Sequence, residues 1–151
     1  MSQHSAALEW SRTPNPGDPK TYSRNHVATL AGGQEVKMSS SPDFLGDPQC
    51  ADPEQMVVTA LASCHMLFFL ALADVKGFPV AHYSDNPVGH LEKTDKGLAI
   101  TRIVLSPRVG FVDKQPDADT LAAIHASAHK RCFIANSLTA EVTVDLGPDA
   151  P

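Results

Sequence analysis

The chain has little positive charge and few aromatic residues. It carries 12 Lys and Arg against 17 Asp and Glu, a formal net charge of −5 at pH 7, and only 6% of its residues are aromatic. No run of Lys or Arg is present that could neutralise a row of phosphates, so no nucleic-acid partner is expected. The hydrophobic fraction of 42% is ordinary for a folded protein and argues against a disordered chain.

Cysteine is also scarce. Three cysteines are present, an odd number that argues against a secreted disulfide scaffold and favours free thiols in a reducing compartment. The first ten residues, MSQHSAALEW, show neither a basic start nor an apolar block, so no secretory signal is expected. We therefore expect a cytoplasmic protein.

The length of 151 residues suits one domain, with loose termini predicted at 1–7 and 147–151. Phosphate-binding glycine loops, paired-carboxylate signatures and Gly-x-Ser-x-Gly elbows are not found in the sequence. Any chemistry must therefore come from other residue types.

A long helix is the clearest positive signal. Asp52 is a good N-cap, Pro53 suits the first helical position, and Gln55 completes a capping-box spacing. The helix is predicted to run to about Lys76, where Gly77 can end it.

This helix has no formally charged residue from Met56 to Ala73, so it is either a membrane span or the centre of a fold. Polar side chains interrupt it and acidic residues flank it, so a buried central helix is favoured and no membrane partner is expected. The rest of so short a chain can hardly enclose such a helix. We therefore expect a symmetric homodimer with a large apolar interface.

The remaining segments alternate between strands and one more helix. The second helix is predicted to start at Asp117 or Asp119, and residues 132–138 either continue it or form another short helix. Strands are predicted at 7–10, 21–30, 35–38, 80–83, 88–92, 98–112 (with Pro107 at an edge or bulge) and 141–146. This order is not that of a parallel α/β sheet, and it predicts an α+β fold with antiparallel sheets.

The cysteines are the first candidates for chemistry. Cys64 lies in the middle of the long helix, Cys132 follows the second helix, and Cys50 lies in the loop before the long helix. A buried cysteine is often an inert apolar residue. Because apolar burial raises the pKa of a thiol, a reactive Cys64 would need a cation or a hydrogen-bond donor nearby. The available arginines are Arg12, Arg24, Arg102, Arg108 and Arg131.

A weaker pattern joins His125, His129 and Cys132. Their spacings of i, i+4 and i, i+7 place them near one helix face if the helix continues, and zinc accepts these ligands. The alternative, a partly exposed helix surface, is favoured, and no bound metal is expected.

Two segments carry a family resemblance. DPEQMVVTALASCHM (residues 52–66) has Glu54 ten residues before Cys64, and AHKRCFIANSL (residues 128–138) contains Cys132. Both resemble the cysteine motifs of the OsmC/Ohr family, the osmotically inducible and organic hydroperoxide resistance proteins. The further segments YSRNH, GDPQCADPE and CFIANS suggest a subgroup distinct from the two founding types.

The resemblance implies a fold of two antiparallel sheets around long central helices in an intertwined homodimer. It also implies a cysteine peroxidase that reduces hydroperoxides, preferably organic ones. Cys64 would be the peroxidatic cysteine that becomes a sulfenic acid, and Cys132 the resolving cysteine that forms a disulfide with it. An external dithiol reductant would restore both thiols, and no bound cofactor is implied.

In this family a glutamate orients an arginine that supports the thiolate, and Glu54 takes that position. The loop at 32–53 contains no arginine, so Arg24 is favoured for this role and Arg12 is the next choice. Ten helical residues rise about 15 Å, so Glu54 cannot contact Cys64 directly. The missing loop arginine supports an alternative, an OsmC-like domain that binds a small apolar ligand without efficient turnover.

Several neighbours of the cysteines have open roles. His65 is expected to be a hydrogen-bonded core histidine. Four apolar residues could line a pocket for an alkyl hydroperoxide, although most of them are expected in the dimer core: Met66, Phe68, Phe69 and Phe133.

Overall fold

The structure is a computed structural model that describes residues 1–147. The chain forms two compact units, Met1–Met56 and the part that starts at Val57. The described residues contain eight strands, two α-helices and two short 3₁₀ helices. The predicted α+β class with antiparallel sheets is confirmed.

The first unit contains an antiparallel sheet of three strands in the order β1-β2-β3. The strands are β1 (Ala6–Glu9), β2 (His26–Leu30) and β3 (Glu35–Met38). Since Ala6 already pairs with Leu30, the sheet begins inside the segment predicted as a loose terminus. Residues 148–151 of the predicted C-terminal tail lie outside the described residues.

The strand predicted at 21–30 is shorter than expected. Its first residues pair with the proline-rich loop instead of with β1, since Ser23 N–H donates to the Thr13 carbonyl at 2.8 Å and Pro14 forms a bridge with Tyr22. Proline lacks an N–H group and fixes its own φ, so this loop offers only isolated pairing and no continuous ladder.

Helix α1 (Pro53–Val75) begins with the predicted capping box. Gln55 N–H donates to Asp52 Oδ1 at 2.7 Å, and Asp52 N–H donates to Gln55 Oε1 at 3.2 Å. The helix ends as predicted near Gly77, which has a φ of 77° and donates its N–H to the Asp74 carbonyl at 2.9 Å.

Only one face of α1 is buried within a single chain. The buried residues recur every three or four positions: Val58, Leu61, His65, Phe69 and Ala73. The sequence predicts burial on all sides, yet Leu67 on another face is 60% exposed. Among the described residues α1 is the one helix that is long and apolar enough to cross a membrane, a test that core helices of soluble proteins also pass.

The second unit contains two further sheets. In one, β4 (Val80–Ser84) pairs with β7 (Arg108–Phe111), and in the other β6 (Gly97–Leu105) lies between β5 (Val88–Thr94) and β8 (Glu141–Val144). All these pairs are antiparallel except β6 with β8, which is parallel. The described residues thus form three sheets, where the family resemblance implies two.

The single strand predicted at 98–112 is wrong, because the chain leaves one sheet and enters another at Ser106 and Pro107. Ser106 N–H donates to Asp85 Oδ1 at 2.7 Å rather than to a neighbouring strand. Pro107 has no N–H to donate, so a sheet ladder cannot pass through this point.

Helix α2 (Ala118–Arg131) begins at the Asp117 N-cap, whose Oδ1 accepts from Thr120 N–H at 2.7 Å. It ends before Cys132, and a separate 3₁₀ helix follows at Ala135–Ser137. Of the two alternatives for residues 132–138, the separate short helix is confirmed.

Two apolar clusters form the core of the second unit. One joins α1 to β6 and to the end of α2, with Val58, Leu61, Ile103, Leu105 and Cys132. The other joins the C-terminal half of α1 to α2, with Phe69, Ala73, Leu121, Ile124 and Ala128. The chain segment around Cys132 is therefore built into the core.

The close packing of β5 on α1 generates a stability prediction. A Cβ at Gly89 would lie 2.6 Å from Val58 Cγ2, and Val58 is a buried β-branched residue with little rotamer freedom in a helix. We expect Gly89→Ala to lower the free energy of unfolding by about 1–3 kcal/mol, measured by urea denaturation. Gly110→Ala is the matched control, because its Cβ would meet its nearest atom at 3.8 Å. Equal losses in both variants would contradict this packing.

Candidate active site

Two cysteines that are remote in sequence lie together in the second unit. Cys64 is in the middle of α1 and Cys132 directly follows α2. Cys64 lies close enough to Cys132 to raise the pKa of the Cys132 thiol. Both are free thiols, and Cys64 also packs against the apolar cluster that contains Cys132.

The two thiols have different surroundings. Cys132 is fully buried, whereas Cys64 is partly exposed. Burial first, and the neighbouring Cys64 second, raise the pKa of Cys132 to about 11. Cys132 is therefore a neutral thiol at pH 7, and Cys64 is the more exposed of the two residues.

The end of α2 fixes the position of Cys132. Its backbone N–H donates to the His129 carbonyl at 3.1 Å, and its carbonyl accepts from Asn136 N–H at 3.0 Å. Ala135 N–H donates to Cys132 Sγ at 3.4 Å. A helix C-terminus carries partial negative charge, which disfavours a thiolate and agrees with a neutral Cys132.

Two aromatic residues lie beside the thiol pair. Phe68 packs against the cluster that contains Cys132, and its ring meets that of Phe133 edge-to-face at 5.1 Å. Phe133 is 71% exposed. Of the other residues predicted to line a pocket, Phe69 is fully buried in the second cluster, and Met66 borders a separate cavity of about 310 Å³.

A buried histidine pair lies next to Cys64 in sequence. His65 Nε2 and His125 Nδ1 are 3.0 Å apart, and the two rings are nearly parallel with centroids at 5.3 Å. Phe69 stacks on His125 with a centroid distance of 4.1 Å. The prediction that His65 is a hydrogen-bonded core histidine is confirmed.

Both histidines are held neutral. Burial, with a smaller contribution from His129, lowers the pKa of His65 to about 4, and burial with His65 lowers that of His125 to about 3. Their outer nitrogens, His65 Nδ1 and His125 Nε2, have no hydrogen-bond partner within residues 1–147. An added proton would therefore be a buried charge with no acceptor.

The continuous helical face that suggested a metal site is not present in the structure. Because α2 stops at Arg131, Cys132 does not continue the helical face of His125 and His129. In the part of the chain that the structure describes, no three His, Cys, Asp or Glu side chains are grouped so that they could hold a metal ion.

The predicted arginine and glutamate lie in the first unit. Arg24 Nη1 donates to the Tyr22 carbonyl and to Thr21 Oγ1, the latter at 3.3 Å, while Glu54 lies in the first turn of α1. The one ion pair within residues 1–147 joins Arg102 and Glu92 at 3.7 Å. Neither Arg24 nor Arg12 is thus paired with Glu54 in a single chain, and their roles stay predictions.

Cys50 differs from the thiol pair. It lies in the loop before α1 and is partly buried. Burial first, and the nearby Asp47 carboxylate second, raise the pKa of its thiol. These surroundings disfavour a thiolate. That Cys50 takes no part in the chemistry stays a prediction.

Comparison with known proteins defines the class. The fold is α+β with antiparallel sheets, and it places the free thiol on α1 beside the free thiol that directly follows α2. The family model for OsmC-like proteins matches residues 46–147, a range that includes both Cys64 and Cys132 and more than half of the chain. The chain belongs to the OsmC-like family.

Individual relatives agree with this assignment. Peroxiredoxin OsmC of Escherichia coli K12 is 30% identical over 94 residues, which cover 62% of this chain and 64% of that protein, slightly under two thirds of its length. A solved OsmC-like protein of unknown function from Vibrio cholerae is 39% identical, with a TM-score of 0.89 over 96% of this chain and 99% of that one. An organic hydroperoxide resistance protein OsmC from Legionella pneumophila shares the fold, with a TM-score of 0.72 at 16% identity over 97% and 98% of the two chains.

The histidine pair generates a pH prediction. The folded-state pKa values of about 4 and about 3 lie below the ordinary histidine value, so the unfolded chain binds more protons below about pH 6.5. The contribution of the pair to the free energy of unfolding should be at its maximum above that pH and should fall as the pH drops towards 4. The slope expected is about 1.4 kcal/mol per pH unit for each histidine, measured by urea denaturation between pH 7 and 5.

The control replaces both partners at once. A double variant, His65→Leu with His125→Leu, leaves neither ring orphaned and should lose most of this pH dependence. His82→Gln changes an exposed histidine in β4 and should keep it. A wild-type stability that stays flat between pH 7 and 5 would contradict the account of the pair.

Proposed function

We propose that this protein is a cytoplasmic thiol peroxidase that reduces hydroperoxides, preferably organic ones, and so serves in oxidative-stress defence. The observation that carries the proposal is the proximity of the partly exposed Cys64 to the buried Cys132. Membership of the OsmC-like family supports it. So do the names of relatives, a peroxiredoxin in Escherichia coli and an organic hydroperoxide resistance protein in Legionella pneumophila.

In the first step the Cys64 thiolate attacks one oxygen of the hydroperoxide. An S–O bond forms, the O–O bond breaks, and the departing alkoxide takes a proton to leave as an alcohol. Cys64 is then a sulfenic acid, oxidised by two electrons. The partial exposure of Cys64 supports its assignment to this step, since the buried Cys132 is less accessible.

In the second step the Cys132 sulfur attacks the sulfenic sulfur of Cys64. The S–S bond forms as hydroxide leaves, and the proton of the neutral Cys132 thiol leaves with it as water. The proximity of the two side chains supports this step, because a disulfide requires its two residues to be close. An external dithiol then reduces the disulfide by exchange and returns both thiols.

Arg24, with Arg12 as the alternative, and Glu54 are proposed to support the Cys64 thiolate and polarise the peroxide. This part of the proposal rests on the family resemblance. Arg24 is held by the Tyr22 carbonyl and the Thr21 hydroxyl, and Glu54 lies at the start of the helix that carries Cys64.

We further propose that the active form is a homodimer. One face of α1 is apolar and uncovered in a single chain, with Leu67 60% exposed, and Phe133 beside the thiol pair is 71% exposed. Burial of such surface in a second copy would be favourable by about 25 cal/mol per Å². The same surface would place the thiol pair at a subunit boundary.

The cysteine roles are tested by the mass of the intact protein after one equivalent of cumene hydroperoxide. Reduced wild type should lose about 2 Da as the disulfide forms, and Cys50→Ser should do the same. Cys64→Ser should show no change. Cys132→Ser should instead gain oxygen at Cys64, because no resolving thiol is left.

If the mass of the wild-type protein and the concentration of the peroxide both stay unchanged, the peroxidase proposal is contradicted. That result would leave the alternative, an OsmC-like domain that binds a small apolar ligand without efficient turnover. Disulfide formation in Cys64→Ser would contradict the assignment of roles.

The arginine role is tested separately. Arg24→Gln should lower kcat/KM for cumene hydroperoxide by about 100-fold or more, because a charged donor to the reacting oxygen is lost. Arg131→Gln, at an exposed arginine of α2, is the matched control and should change the value little. Full activity in Arg24→Gln with a large loss in Arg12→Gln would move the role to Arg12.

A further inference from the structure

A cavity of about 490 Å³ lies in the first unit, and no cysteine lines it. Four large side chains dominate its wall, Trp10, Arg12, Tyr22 and Arg24. The volume lies within the ordinary range for small-molecule sites. Arg12 and Arg24 are also the two candidates proposed above to support the Cys64 thiolate.

The charges in the cavity are all of one sign. Arg12 Cζ lies 5.5 Å and Arg24 Cζ 4.3 Å from the centroid of the Tyr22 ring, so two guanidinium groups share one aromatic ring. No aspartate or glutamate lines the cavity, and the one ion pair within residues 1–147 involves neither arginine.

This concentration of positive charge contrasts with the chain as a whole, which has a net charge of −5. The Tyr22 ring attracts each guanidinium, but it does not remove the repulsion between the two. An anion near both groups would do so. The geometry therefore favours a negatively charged ligand.

The guanidinium of Arg24 is fixed and still has donors to offer. Its Nη1 donates to Thr21 Oγ1 and to the Tyr22 carbonyl, which holds the side chain in place. Its Nε and Nη2 have no hydrogen-bond partner among residues 1–147. Arginine nitrogens in this planar arrangement bind both oxygens of a carboxylate.

The aromatic residues of the cavity contact each other but are not covered. Trp10 meets Tyr22 edge-to-face at 5.8 Å, and its Nε1–H donates to the Ser23 carbonyl at 2.9 Å. Even so, Trp10 is 47% and Tyr22 is 42% exposed. An apolar group beside the anion would bury this surface, which a simple inorganic anion would not do.

We infer that this cavity is a binding site for an organic carboxylate, with the acid group between Arg12 and Arg24 and its apolar chain on Trp10 and Tyr22. The inference uses the same two arginines as the peroxidase proposal, but it does not rest on the thiol chemistry because it requires no cysteine. If both hold, the protein would handle hydroperoxides or reductants that carry an acid group.

Octanoate is the probe, and Trp10 is the reporter because it is the one tryptophan of the chain. Octanoate should change Trp10 fluorescence in a saturable way. Octan-1-ol, which has the same chain without the charge, should bind at least about tenfold more weakly, since the charge-assisted hydrogen bonds are lost. Raising the salt concentration should weaken the binding of octanoate but not that of octan-1-ol.

Arg12→Gln should weaken octanoate binding at least about tenfold, whereas Arg131→Gln, an equal charge change outside the cavity, should change it less than about twofold. Unchanged thermal unfolding of both variants would establish that they fold. All titrations are repeated in Cys64→Ser, where binding should persist, so that a failed peroxidase assay and a failed binding assay are told apart.

The inference is overturned if octanoate does not bind, if octan-1-ol binds as tightly, or if folded Arg12→Gln binds octanoate like wild type. It is also overturned if calorimetry detects octanoate binding while Trp10 fluorescence stays constant. That result would place the ligand elsewhere on the protein.

Discussion

The proximity of the thiols of Cys64 and Cys132 is the constraint on which the functional account depends. It exists because a helix that is uncharged through its middle packs against the residue at which a second helix stops. Leu61, Ile103 and Leu105 form the fully buried surroundings of Cys132. Those surroundings keep one sulfur neutral and enclosed, while the other stays partly exposed, and this asymmetry gives the two thiols different chemistry.

Local signals in the sequence predicted the parts of the fold that depend on local physics. The capping box at Asp52 and Gln55, the Gly77 stop and the Asp117 N-cap each involve residues within one turn, so the sequence pattern is sufficient. The strand predicted at 98–112 failed because Pro107 was interpreted as an edge or bulge within one strand. The hydrogen bond from Ser106 N–H to Asp85 shows that the chain changes sheets at this point.

Contacts between residues that are far apart in the sequence could not be predicted from residue spacing. His125, His129 and Cys132 suggested one helix face, but the real partner of His125 is His65, on another helix and 3.0 Å away. The proximity of Cys64 and Cys132 was likewise implied by family resemblance and not by any local pattern. The arginines show the limit of that resemblance, since Arg12 and Arg24 share the Tyr22 ring and neither pairs with Glu54 in a single chain.

A count of free thiols tests the central claim most directly. The reduced protein has three free cysteines, Cys50, Cys64 and Cys132. After one equivalent of an organic hydroperoxide, alkylation and peptide mapping should find a single reactive thiol, at Cys50, with the other two joined. If three thiols remain while the peroxide persists, or if the bond joins Cys50 to either partner, the account is contradicted.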